Sequence, residues 1–153
     1  MRADGTERPA VTSVTRQAVR CPRCSTHHEV DTWAFVDARR QPRQREQVLG
    51  GHLHVYECTV CAVRVRLELP FHYVDTAIKL WALYLPAEAL SEPAALRAFD
   101  TRGRLTAPVS MSGSGMVTEP HVVFSIAELV RYIEFREALQ RQRSEADAQR
   151  SDD

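Results

Sequence analysis

The sequence predicts an α+β domain built on two β-hairpins, and three observations predict it. The four cysteines of the 153-residue chain fall as two C-x-x-C pairs, Cys21-Pro22-Arg23-Cys24 and Cys58-Thr59-Val60-Cys61. Residues 63–69 alternate, with Val63, Val65, Leu67 and Leu69 on one side and Arg64, Arg66 and Glu68 on the other, which is the period of a half-buried strand. Ser125-Ile126-Ala127-Glu128 has the S-x-x-E spacing of a capping box, and Ile126, Leu129, Val130, Ile133 and Leu139 then recur at helical spacing. The expected architecture is a pair of zinc-ribbon-like β-hairpins extending into a small antiparallel sheet. A short helix lies between the two cysteine knuckles, and a C-terminal helix packs on the sheet.

Size and composition fit one domain with its own core. The 20 basic and 20 acidic residues cancel, whereas a dedicated nucleic-acid binder normally carries a basic excess or patch. All the basic residues but Lys79 are arginine. The first 16 residues have no apolar core and carry Asp4 and Glu7, unlike a secretory signal. The longest apolar stretch, residues 80–85, is far short of the ~20 residues of a membrane helix, so no membrane association is expected. The expected location is the cytoplasm. In a reducing compartment paired cysteines serve metal binding or redox chemistry more often than structural disulfides.

In chain order, residues 1–16 lack periodicity and predict a disordered arm. The domain is expected over 17–142. A short strand at 18–20 enters the first knuckle, and residues 29–36, rich in β-branched and aromatic side chains, leave it as a strand. Pro42 suits the first turn of a short helix with Val48 and Leu49 as its apolar contacts, and Gly50-Gly51 ends it. Residues 53–57 enter the second knuckle and the alternating strand leaves it. Residues 71–76 (FHYVDT) predict an aromatic turn, and 78–85 a buried strand ended by Pro86. A short helix should start near Pro93, a mobile loop should cover about 100–120, and 121–124 should be a strand. The capped helix is expected to end near Gln142, leaving 143–153 frayed.

Two C-x-x-C turns present four thiolates and can close around one Zn²⁺ as a tetrahedral Cys₄ site of Cys21, Cys24, Cys58 and Cys61, with sulfur at about 2.3 Å from the metal. Such a site is structural, because no coordination position is left to activate water. Arg20, Arg23, Arg64 and Arg66 lie close in sequence and could offset the thiolate charge from outside the ligand set. An iron centre, a working dithiol and free thiols are the other readings of the same four residues. His27, His28, His52 and His54 flank the knuckles, but four cysteines already complete a tetrahedron, so these are expected at the surface. Asp75 is expected to stabilise its turn. Arg39, Arg40, Arg43 and Arg45 read as a solvated face diluted by Asp37 and Glu46. Trp33, Phe71, Tyr73, Trp81 and Tyr84 read as core rather than as a recognition surface. Nucleophile-elbow, phosphate-loop, zinc-protease and dinucleotide motifs do not occur in the sequence.

The order C-P-x-C, Trp33, Pro42, Leu49-Gly50-Gly51-His52-Leu53, C-x-x-C, then Pro70-Phe71-His72-Tyr73-Val74-Asp75 and Tyr84-Leu85-Pro86, resembles the CpXC domain family. The resemblance covers roughly residues 18–140 and implies a bacterial metal-binding domain with no assigned activity. The second knuckle, C-T-V-C-A, departs from the family pattern. It lacks the usual proline and the glycine after the last cysteine, which puts the tight turn at Ala62 in question. The function expected is a non-enzymatic module that binds or adapts an unidentified protein partner. A nucleic-acid-binding ribbon, using the arginines of 39–45 with Arg64 and Arg66, is the alternative, and a thiol redox switch is the third.

Overall fold

The computed structural model describes residues 14–106 and 119–151. Strands β1 (Val14–Arg20) and β2 (His27–Trp33) pair antiparallel from Val14↔Trp33 to Arg20↔His27, which puts the first cysteine pair at the hairpin tip. The strand thus starts upstream of the predicted 18–20. Val14 to Arg16 lie in the strand because β2 offers partners: Arg16 Nε donates to Asp31 Oδ1 at 3.1 Å, and the Thr32 hydroxyl donates to the Thr15 carbonyl at 3.0 Å. The rest of the predicted arm, residues 1–13, lies outside the described residues.

The strand expected over 29–36 divides at Ala34. Strand β2 stops at Trp33, and β3 (Phe35–Asp37) joins a different sheet. That sheet has the order β3-β6-β7-β8, with β6 at Phe71–Asp75, β7 at Leu80–Tyr84 and β8 at His121–Val123. Its β6–β7 pair is antiparallel, but β3–β6 and β7–β8 are parallel. The sheet is therefore mixed, not antiparallel as expected. Connection length explains it: only β6 and β7 are joined by a tight turn, while long crossovers deliver β3 and β8 alongside their neighbours. The two hairpins do not extend into this sheet either. The second, β4 (Val55–Glu57) with β5 (Arg64–Arg66), is its own two-stranded ribbon.

Two segments change character. Residues 71–75 form a central strand and not a turn, since Phe71, Tyr73, Val74 and Asp75 are all buried between neighbours. The turn falls one step later, at Thr76–Ile78, where Asp75 Oδ1 accepts the Ala77 N–H at 3.0 Å and Lys79 closes it in the left-handed conformation (φ 49°). The alternating strand is cut short at Arg66, because the Leu67 N–H turns to the His54 carbonyl at 2.8 Å.

Helix α1 (Pro42–Leu49) has proline in its first turn and buries Val48 completely. Residues Ala87–Ser91 make a 3₁₀ turn before α2 (Pro93–Leu96), a single helical turn. Part of the predicted 100–120 loop is ordered, since Asp100 Oδ1 accepts the N–H groups of Arg102 and Arg104 at 2.8 and 3.0 Å. Its residues 107–118 lie outside the described residues. Helix α3 (Ile126–Ser151) is capped as predicted by the Ser125 hydroxyl, which accepts the Glu128 N–H at 3.0 Å. The Glu128 carboxylate reaches back one residue further than the motif implies, to the Phe124 N–H at 2.9 Å. The helix continues past Gln142 to Ser151, because Glu145, Ala146, Ala148, Gln149 and Arg150 are good helix formers. No helix among the described residues is long and apolar enough to cross a membrane.

The core lies between the mixed sheet and the two longer helices, with Val36, Val48, Leu53, Phe71, Tyr73, Leu80, Ala82, Tyr84, Val123, Leu129 and Ile133 buried together. Arg45 on α1 pairs with Glu137 on α3. Arg136 donates to the Ile78 and Lys79 carbonyls at 2.9 and 2.8 Å, tying α3 to the β6–β7 turn.

His54 departs most from expectation. It is only 4% exposed, lies parallel to Trp33 of the first ribbon, and meets the edge of Phe71 of the sheet at 5.6 Å between centroids. Its Nε2 accepts the Trp33 N–H at 2.9 Å, a bond that only an unprotonated nitrogen can make. Burial, helped by the nearby Arg66 guanidinium, depresses its pKa to about 4. As pH falls through the ordinary histidine range, the unfolded chain takes up a proton that the folded chain refuses until about pH 4. Stability should therefore be full above about pH 6.5 and should fall by up to ~3 kcal/mol toward pH 4 from this residue alone. Denaturant melts at pH 7.5 and 4.5 should show a smaller pH-dependent loss in His54→Gln than in the parent chain.

Candidate metal centre

The two knuckles have the same backbone construction. In the first, the Cys21 N–H bonds to the Thr26 carbonyl and the Ser25 N–H to the Cys21 carbonyl, both at 2.9 Å. In the second, the Cys58 N–H bonds to the Val63 carbonyl and the Ala62 N–H to the Cys58 carbonyl, again both at 2.9 Å. The residue after each pair is left-handed, Ser25 at φ 62° and Ala62 at φ 58°. The missing glycine thus does not abolish the second turn. Alanine adopts the conformation at a steric cost of order 1 kcal/mol.

These turns aim all four sulfurs into one volume. Their Sγ atoms lie within 4.8 Å of one another, with Cys21–Cys61 at 3.6 Å and Cys24–Cys58 at 3.5 Å. Each of these short contacts joins one knuckle to the other. Sulfurs held at about 2.3 Å from a tetrahedral ion sit about 3.8 Å apart, so the donor set matches a metal in both number and spacing. Cys21 and Cys58 are buried, while Cys24 and Cys61 reach solvent.

The thiols are pushed apart in acidity. The Thr26 hydroxyl, then the Thr26 N–H, bring Cys24 down to about 6. At Cys61 the Val63 N–H lowers the pKa, but burial and the three neighbouring cysteines outweigh it and raise it to about 11. Like charges this close cannot all develop without a cation. The four residues thus form a pocket of anionic character that a divalent ion would complete.

The bonds to sulfur come from residues other than the predicted arginine side chains. The Arg23 backbone N–H reaches Cys21 Sγ at 3.4 Å, Thr26 Oγ1 lies 3.0 Å from Cys24 Sγ, and His28 Nε2 lies 3.3 Å from Cys58 Sγ. Arg20 is exposed across from His27, and the Arg23 side chain is exposed. Arg64 reaches His52 Nδ1 at 3.2 Å, and Arg66 donates to the Gly51 and Leu53 carbonyls. His28 is half-buried, not at the surface as expected, and packs on Tyr56 with ring centroids 5.2 Å apart. Tyr56 Oη is buried without a partner among the described residues. Its acidity is suppressed first by burial and then by the adjacent cysteines. Sequence gave only one hint of His28: in a hairpin it stands opposite Val19, one step from the knuckle. The approach to Cys58 depends on the other hairpin.

The model of the family described as CpXC protein matches residues 19–145, most of the chain and the whole of this site. This chain belongs to the CpXC family. No curated protein and no solved structure matches it. Both cysteine pairs of the CpXC domain fall inside the match, as does the mixed sheet.

Ala62→Gly should relieve the strained turn and raise the thermal midpoint, with a gain of ~0.5–1 kcal/mol after the entropy cost of glycine. Thermal unfolding followed by circular dichroism checks it. Ala62→Val should shift the midpoint in the opposite direction.

Proposed function

We propose that Cys21, Cys24, Cys58 and Cys61 bind one Zn²⁺ as a structural ion, and that the protein is a non-enzymatic interaction or adaptor module of the cytoplasm. The observation that carries this reading is the closed donor set. Four sulfurs within 4.8 Å of one another saturate a tetrahedral ion and leave no position for substrate or water. Zinc suits four thiolates in this geometry better than hard cations do, and its two positive charges would offset half of the four thiolate charges. The contribution of this chain is to hold both knuckles at the correct separation, with Thr26, His28 and the Arg23 N–H donating toward the sulfurs.

The arrangement of the arginines weighs against the nucleic-acid alternative. Arg45 is paired with Glu137, Arg66 is spent on two backbone carbonyls and Arg64 on His52. Arg40 also lies 3.8 Å from the Asp37 carboxylate, so four of the six arginines that would contact phosphate have internal partners.

Elemental analysis of the chain purified under reducing conditions should give about one zinc per chain, retained under mild oxidant. Iron with visible charge-transfer absorption, or metal-free folded protein, would overturn the zinc assignment. Cys58→Ser should lose most of the zinc and several kcal/mol of stability, since a structural zinc contributes on the order of 10 kcal/mol to folding. Full zinc and an unchanged melting curve in that variant would sink the Cys₄ site.

A further inference from the structure

Helix α3 has two halves. Through Ile133 it buries Leu129 and Ile133 against the sheet, but from Leu139 to its end every residue is exposed. Where the halves meet, Phe135 (55% exposed) and Leu139 (40%) stand one turn apart on the helix surface. Beside them runs a groove of about 300 Å³ between α3 and the β6–β7 turn, lined by Lys79, Tyr132, Phe135, Arg136, Leu139 and Arg143 together with Ile78 and Gln140.

The groove has a distinct charge. Lys79, Arg136 and Arg143 surround it and no acidic residue lines it among the described residues, in a chain whose 20 basic and 20 acidic residues cancel overall. The adjoining surface on the other side of the helix differs, with Glu137 and Glu145 beside Arg141. The walls are also held in place. Tyr132 stacks on His121 with centroids 3.9 Å apart, and Arg136 is fixed by the Ile78 and Lys79 carbonyls. A preformed wall lowers the ordering cost of binding.

Resting on the interaction reading above, we infer that this groove is the docking site for an acidic peptide segment of a partner protein, which seats an apolar side chain against Phe135 and Leu139. Charge complementarity selects this occupant. Carboxylates flanking an apolar anchor would meet Lys79 and Arg143 at the rim while the anchor covers the exposed apolar pair.

The test is selection of a displayed random 12-residue peptide library on the full chain as purified, followed by titration of the enriched peptides. The expected peptides carry Asp or Glu around Leu, Phe or Trp. Their Kd should weaken by about ten-fold in Phe135→Ser and in Arg143→Glu, and with rising salt. Both residues are exposed, so the melting curves of these variants should match the parent. Enriched peptides without acidic bias that bind both variants as well as the parent would overturn the groove while leaving an interaction module in place. Failure to enrich any peptide would overturn the groove and count against the module as well. A dimer in solution that Phe135→Ser dissociates would assign the surface to a second copy of the chain and overturn the peptide.

Discussion

Four sulfur atoms from two separate hairpins converge on one point, and the ribbon end of this protein depends on that convergence. Residues 25–57 lie between the two cysteine pairs, and closing a loop of that length costs ~3–4 kcal/mol. Clustered thiols add their own penalty, visible in the spread from about 6 at Cys24 to about 11 at Cys61. Each hairpin is a two-stranded ribbon, an arrangement that is marginal by itself in water. A bound zinc, at about 10–16 kcal/mol, would exceed both costs.

The ribbons are joined to the rest of the molecule by packing rather than by continuous sheet. His54 takes the Trp33 N–H from the first ribbon, gives its carbonyl to Leu67 beyond the second, and sets its ring against Phe71 in the core. Arg66 reaches the Gly51 and Leu53 carbonyls and closes the loop after α1 onto the second ribbon. A buried neutral histidine thus couples three strand systems that share no ladder. The cysteine clamp and this junction join the two ribbons at different points, the sulfurs at the hairpin tips and His54 beside the Trp33 end of the first.

Helix α3 performs two tasks along one length. Its first turns, capped by Ser125 and Glu128, complete the core through Leu129 and Ile133. Pairing of Arg45 with Glu137 and of Arg136 with the β6–β7 turn holds its middle. Beyond Leu139 the helix has no packing face among the described residues, and good helix formers carry it onward from an anchored start. An anchored helix with an uncovered cationic, aromatic shoulder is a rigid platform, which is what recognition by surface requires.

Local chemistry was legible in the residues alone. The two C-x-x-C pairs announced a four-sulfur site, Pro42 and the S-x-x-E box marked helix starts, and the alternation after Cys61 marked a strand, because each depends on neighbours within a few positions. Long-range pairing was not legible. Residues 71–75 read as a turn because nothing in FHYVD reveals that β3 and β7 will cover it on either side. The parallel pairings of β3 and β8 are set by crossovers, and period-2 patterns carry no strand direction. His28 and His54 looked like surface histidines because a ring's partners, here Cys58 on the other hairpin and Trp33 on the first, come from distant segments. The sequence by itself determined the donor set and the local turns that present it. Only the tertiary structure decided which strands adjoin, which arginines are spent, and how far α3 stands uncovered, since these follow from contacts between residues that sequence spacing does not relate.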